Sequence, residues 1–260
     1  MSQHSRMAIV GLLLATAAWS AAAPCDTEPC RGLPGHESLH KVLSQARSED
    51  NGGLNLDMWG TVVNRDGVVC AVAFTGNSRG DQWPGSRAIS AQKANTANAF
   101  SLPKLALSTA NLYSAVQPGG SLFGLQQSNP VDPAVAYKGP AEAFGTDHDP
   151  LVGSRMGGVN VFGGGVALYD KAGRLLGAMG VSGDTSCADH NIAWKARHYL
   201  GLDHVPSGVS PTKDDNIVYD VGPDGRSAGG FGHPDCGGKE KAIGTDLPTT
   251  HPIRKSGSST

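Results

Sequence analysis

Charged residues make up only 17% of this 260-residue chain and aromatic residues only 6%, and no basic stripe runs along it. A disordered chain needs high charge and little apolar content, so the weak charge excludes that class. The missing stripe and the net charge of −2 exclude a nucleic-acid binder, since phosphate recognition leaves a basic footprint. Leu, Glu and Lys are too sparse, and glycine too abundant, for a coiled coil or a helix bundle. Beyond the first 23 residues no apolar run approaches the roughly 20 residues of a membrane span. Glycine (36) and proline (16), by contrast, are plentiful. The composition predicts a loop-rich α+β domain in which small residues let elements approach closely.

The N-terminus reads as an address. His4 and Arg6 lead into an apolar run from Met7 to Ala18, followed by Trp19 and the small residues Ala21, Ala22 and Ala23. This is the pattern of a cleavable secretory signal peptide over residues 1–23. Pro24 directly before Cys25 argues against a lipoprotein site. The expectation is a periplasmic or secreted protein with no membrane span once the signal is removed.

All five cysteines follow that segment. An oxidising compartment permits disulfides, and an odd count leaves one thiol over. Cys70 sits in an apolar strand-like run and is expected to stay reduced as a small buried hydrophobe. Cys25 and Cys30 are expected to close a local loop, and Cys187 to pair with Cys236. The latter bridge would close about 50 residues, worth about 4 kcal/mol in the chain-entropy view. No C-x-x-C or C-x-x-C-H occurs, which excludes a thioredoxin-type motif and covalent c-type haem attachment.

His36 to Arg47 carries Leu39, Val42, Leu43 and Ala46 at helical spacing, and Asn51-Gly52-Gly53 stops it. Two hairpins follow a common plan. One turns at Asn64-Arg65-Asp66-Gly67, the other at Asp170-Lys171-Ala172-Gly173, each between strand-like runs. Asn or Asp opens such a turn and glycine supplies its left-handed residue. The run from Val68 to Phe74 is apolar on both faces, which predicts a central strand. Ser86 is expected to cap a helix from Arg87 to Phe100. Ser186 and Asp189 fit a capping box for a helix that runs to Leu200, before Gly201. Leu102 to Val116 is expected to be helical and residues 117–162 to be loops. The order helix, hairpin, helix, connector, hairpin, helix gives one antiparallel sheet with helices laid on it. The expected organisation is a short segment at 24–35, a domain at 36–201 and a loop-rich extension at 202–260. That extension is expected to be strapped over the domain through Gly238 and loose from Lys239 onward.

Gly163-Gly164-Gly165 leads into a strand rather than a helix, so it reads as close backbone packing and not as a phosphate loop. Gly180 to Asp184 fails the G-x-S-x-G nucleophile pattern at Asp184. No catalytic residue is assigned. Residues Gly183 to Ser186 end a strand and open a helix, where free N–H groups suit a carboxylate; an ordinary cap would consume the same donors. His190, in the first turn of that helix, and His148, in the loop Thr146-Asp147-His148-Asp149-Pro150, are the two histidines placed to reach a ligand. A Cys–His metal site would need more ligands than the sequence assembles.

Lys93-Ala94-Asn95-Thr96-Ala97-Asn98-Ala99-Phe100 resembles the K-A-x-T-A-x-x-F helix of the GlcG/HbpS-type haem-binding family, and Leu176 to Gly183 resembles its G-A-x-G-V-S-G strand and turn. Asp189 followed by Ala193 is similar to the family's D-x-x-x-A continuation. The resemblance spans about residues 36 to 201. It implies a profilin-like domain with a central antiparallel sheet, non-covalent haem binding, a role in haem or iron sensing or handling, and assembly into homo-oligomers. It fixes no axial ligand. Lys93, Thr96, Ser182, Gly183, Ser186 and Asp189 are taken as pocket residues and His190 or His148 as the iron ligand, with Lys93 or the Gly183–Ser186 N–H groups meeting the propionates. Where relatives carry an acid after the aspartate this chain has His190, and the segment after Leu202 has no counterpart in the minimal domain. Two other readings remain open. One is a periplasmic enzyme or accessory acting on a small carboxylate such as a hydroxy acid, with Lys93 binding and the Asp189/His190 pair as acid and base. The other is an interaction domain without a small ligand.

Overall fold

The structure is a computed structural model that describes residues 29–254. The expected signal peptide (1–23) and Cys25 lie outside the described residues, as do residues 255–260.

Helix α1 (His36–Arg47) buries Leu39, Val42, Leu43 and Ala46, the stripe its spacing predicts. Strands β1 (Trp59–Asn64) and β2 (Val69–Phe74) form the first hairpin, and β3 (Gly165–Tyr169) and β4 (Leu175–Ser182) the second. Both turns close as their residues dictate. Asn64 Oδ1 accepts from the N–H groups of Asp66 and Val68, Asp170 Oδ1 from those of Ala172 and Arg174, and Gly67 and Gly173 take positive φ. The four strands pair antiparallel in the order β2-β1-β4-β3, giving an α+β fold. Helix α2 (Ser86–Phe100) lies on one face of the sheet. Across the chain come two single-turn helices, α3 (Leu125–Ser128) and α4 (Pro133–Ala136). Helix α5 (Ser186–Leu200) joins α1 on the opposite face, and α6 (Glu240–Thr250) packs on α5.

The core divides accordingly. Leu39, Leu43, Val62, Met179, Val181 and Ile192 fill the α1/α5 side. Trp59, Val63, Val72, Ala91, Ala94 and Ala178 fill the α2 side. The α2 contact is very close, because Gly180 presents bare backbone to the helix: a Cβ there would stand 2.0 Å from the Ser90 carbonyl oxygen.

Several expectations are corrected. β2 is an edge strand, not a central one; its apolar faces are both covered, and its outer edge is met by the chain at 153–154, where Val69 N–H donates to Ser154 O and Gly153 N–H to Val69 O. Cys70 is not a free thiol, and Cys30 does not pair with Cys25: Cys30 and Cys70 form a disulfide that pins the segment before α1 to that edge. The second disulfide joins Cys187 to Cys236. Ser86 is the first residue of α2 rather than its cap. At α5 the cap is Thr185, whose Oγ1 accepts from Ala188 N–H; Asp189 is turned elsewhere. Leu102–Val116 is not one helix. Pro103 and the Ser108–Asn111 side-chain bonds break it into a bridge at Leu102 and Leu105 and two 3₁₀ turns. Finally, residues from Lys239 are not loose, since α6 occupies Glu240–Thr250 and Trp194 Nε1 donates to His251 O.

Candidate functional site

Lys93 on α2 and Asp189 in the first turn of α5 come from opposite faces of the sheet and meet beside the last residues of β4. Lys93 Nζ donates to Asp189 Oδ2 at 2.7 Å and to Val181 O at 3.0 Å, and Asp189 Oδ1 accepts from Asp184 N–H at 2.9 Å. Both side chains are almost wholly buried, at 2% and 3% exposure. Burial pushes the Asp189 carboxyl up to about 6 against the pull of Lys93, and burial likewise lowers Lys93. The Gly163–Gly165 triplet is laid across the pair: a Cβ on Gly164 would stand 3.1 Å from Lys93 Nζ, and one on Gly165 2.5 Å from the Lys93 carbonyl oxygen. This is the close backbone packing that the glycines foretell, and it closes the space in which a ligand would lie.

The other residues expected around Lys93 are engaged with the protein itself. Thr96 Oγ1 donates to Gln92 O and accepts from Asn160 N–H. Ser182 donates to Ser86, and Gly183 packs on the Asp57 carbonyl. At the start of α5, Asp184 N–H is taken by Asp189 and Thr185 N–H by Asp184 Oδ1, so these donors serve the chain's own carboxylates. Ser186, half-buried, faces His233.

His190 is fully buried. Its Nε2 accepts from Ile217 N–H and lies 3.2 Å from Asn216 Oδ1, and burial lowers its pKa to about 3. An iron ligand needs an open nitrogen, and this ring is walled in by the segment after Leu202. Nor do Asp189 and His190 form an acid–base pair, for one faces Lys93 and the other Asn216. His148 is the exposed histidine of the two, 3.6 Å from Asp147.

An open, aromatic-lined cleft lies elsewhere. A cleft of about 250 Å³ is lined by Trp59, Arg79, Pro84, Gly85, Arg87, Tyr137 and Phe144. Its floor is held by Arg87, whose guanidinium pairs in bidentate fashion with buried Asp149, donates to Ala136 O at 2.7 Å and lies 3.8 Å over the Phe144 ring. Asp149 also accepts from Gly145 and Leu151 N–H, fixing the 145–151 loop. His148 stands one residue before that anchor. Trp59 Nε1 is buried without a hydrogen-bond partner, while Tyr137 and neighbouring Trp83 are exposed at 61% and 53%. Aromatic walls, an unpaired indole N–H and an exposed guanidinium at Arg79 suit a flat apolar ligand that carries a carboxylate. The sequence reading missed this cleft because it is assembled from β1, the approach to α2 and the 137–144 loop. No motif or spacing in the chain marks it.

Comparison with known proteins places these residues in context. Residues 36–198 match the family model described as haem degrading protein HbpS-like. Among solved structures, the chain is similar to Klebsiella pneumoniae protein ORFY of family DUF336, at 24% identity over 63% of this chain and 86% of that one, with a TM-score of 0.44. It is also similar to a structure titled PduOC:heme complex, at 22% identity over 63% and 89%, with a TM-score of 0.43. No curated protein matches it.

Proposed function

The chain belongs to the HbpS-like haem-degrading family, and from that premise we propose that it binds haem b non-covalently in the Trp59–Tyr137–Phe144 cleft, acting in haem or iron handling after export. The observation that carries the location is the cleft itself: three aromatic side chains and the unpaired Trp59 Nε1 beside Arg79. In this reading Phe144 and Tyr137 would hold the macrocycle, Arg79 would pair with a propionate, and His148 would offer an imidazole nitrogen to the iron from the loop that Asp149 anchors. Bound haem would supply an iron centre for ligand binding and electron transfer. The chain's own part is to hold the ring, exclude water from one face and orient it. A volume of about 250 Å³ lies below the roughly 300–1,000 Å³ of ordinary small-molecule pockets, so the cleft takes one edge of the ring. A second copy of the chain is the proposed cover for the rest.

The test is a hemin titration of the mature protein, followed by its Soret band. Saturable binding is expected, weakened at least tenfold by Phe144→Ala, with the band shifted by His148→Ala and several-fold weaker binding in Arg79→Ala. His190→Ala should leave the spectrum unchanged. Absence of saturable binding would overturn the function, and binding indifferent to Phe144 and Arg79 would overturn the site. Adding a reductant to the complex and following bleaching of the band tells turnover from storage.

A further inference from the structure

Where the segment after Leu202 crosses the start of α5, two sulfurs and an imidazole converge. Cys187 in the first turn of α5, His233 and Cys236 each place a potential ligand atom within 4.8 Å of the others, the one such group among the described residues. Cys187 and Cys236 are joined as a disulfide, and His233 Nδ1 lies 3.9 Å from Cys187 Sγ while donating to Pro234 O at 2.8 Å, a bond it would give up to ligate through that nitrogen. Cys187 and His233 are buried while Cys236 is half-buried, which leaves an approach from solvent on its side. Ser186 Oγ stands 3.2 Å from His233 Nε2 and 3.6 Å from Cys236 Sγ, beside the group and not in the core. The Tyr113 ring packs against the imidazole, with the two ring centres 5.0 Å apart.

We propose that Cys187, Cys236 and His233 form a redox-gated site for a thiophilic divalent cation such as Zn²⁺, closed while the disulfide stands and opened by its reduction. The sulfurs need only separate from bonding distance to about 3.8 Å, the spacing that two ligands at about 2.3 Å impose on a tetrahedral ion. In the opening step an external dithiol supplies two electrons and two protons. The Cys187–Cys236 bond breaks to two thiols and the dithiol closes to its own disulfide. Binding the cation then releases both thiol protons to solvent. The N-terminus of α5, a helix of 15 residues, favours the Cys187 thiolate. Two thiolates and one imidazole leave a fourth position for water beside Ser186, the Cys₂His pattern of an open zinc site. The C-terminal segment is thereby tied to α5 in both redox states, by a covalent bond in one and by a metal in the other.

Co²⁺ is the probe, because thiolate ligation gives it a ligand-to-metal charge-transfer band. The chain with Cys25→Ser, fully reduced by a phosphine, is expected to bind one Co²⁺ with that band and to release it to Zn²⁺. The disulfide form should show no band. His233→Ala keeps the disulfide, so its fold is checked by circular dichroism before reduction; once reduced it should bind Co²⁺ at least tenfold more weakly. Cys187→Ser should lose the band. If the reduced chain gives no charge-transfer band, or if His233→Ala binds as tightly as the unsubstituted chain, the proposal is overturned. A band that survives Cys187→Ser assigns the metal to Cys30 and Cys70 and overturns it equally. Should Cys187→Ser fail to fold, the His233→Ala result decides alone.

Discussion

Setting Lys93 against Asp189 takes two charges out of water, and their mutual attraction offsets that desolvation only because Val181 O and Asp184 N–H complete the hydrogen bonding. Removing one partner strands the other. Lys93→Met is expected to cost about 3–5 kcal/mol, read from the urea unfolding midpoint. Lys93→Met with Asp189→Asn keeps an acceptor for Asp184 N–H and buries no charge, so it should recover more than half of the loss. A double variant no more stable than the single one would show that the pair does more than fill its site. The buried histidines set the acid limit. Burial holds His190 at about 3 and His233 at about 4 in the folded chain, below the ordinary 6.5. The unfolded chain therefore takes up protons below pH 6.5 that the folded one refuses, and stability present above that pH is lost as pH falls toward 4. Between pH 7.5 and 5 each histidine accounts for about 2 kcal/mol. Asp189, raised to about 6, works in the opposite sense and returns about 1 kcal/mol over the same span. A net fall of about 2–3 kcal/mol in unfolding free energy is expected, and His190→Gln should flatten the slope.

At the scale of elements, what the sequence disclosed was local. Helix α1 and both hairpins follow from a periodic stripe and from Asn64, Gly67, Asp170 and Gly173, residues whose chemistry acts within four positions. What stayed hidden depends on distant partners. β2 reads as a central strand because both its faces are apolar, yet its cover at the edge is the backbone at 153–154 and its disulfide partner is Cys30. Helix α6 contains Gly244, Pro248 and three threonines, a composition poor in helix formers. It is held from outside by Thr185 donating to Glu240 and Asn191 donating to the Glu240 carbonyl. For the candidate site, the motif singled out Lys93 and Asp189 but could not show that they satisfy each other. The cleft residues, scattered from Trp59 to Phe144, share no spacing at all. The glycine-rich motif of β4 does have a readable purpose, which is helix–sheet contact at backbone distance. In Gly180→Ala the added carbon meets Ser90 O and Ala94 N, both main-chain atoms of α2 that cannot turn aside. A loss of about 3 kcal/mol is expected, seen as a fall in Tm of about 6–12 °C. An unchanged Tm would mean that α2 can ride up off the sheet.

For the whole molecule, the question is whether the family-matched stretch, residues 36–198, is a body in its own right with a segment appended. The structure interlocks the two. Arg197 and Asp215 form a bidentate pair with both side chains at 0% exposure, at 2.6 and 2.7 Å. Tyr169 N–H, at the edge of β3, donates to Leu202 O, and Ala106 N–H to Ser207 O. His190, Trp194 and Asn191 each make a hydrogen bond to a residue beyond 215. Cutting the chain after Leu202 would leave a guanidinium buried with no counter-charge, uncover the indole of Trp194 and remove the Cys187 bridge in one step. The first loss, about 3–5 kcal/mol, and the second, about 1.5–3 kcal/mol, together reach the roughly 5–15 kcal/mol that keeps a whole domain folded. The truncated chain is therefore expected to lose its cooperative melting transition. Asp215→Ala, in the full-length chain with both disulfides intact, should cost about 3–5 kcal/mol by itself. An independent domain carrying a loose extension would show neither effect: the truncated chain would melt cooperatively near the full-length Tm, and Asp215→Ala would be silent. The size of the Asp215→Ala loss in urea unfolding thus measures how far the segment after Leu202 has become part of the core.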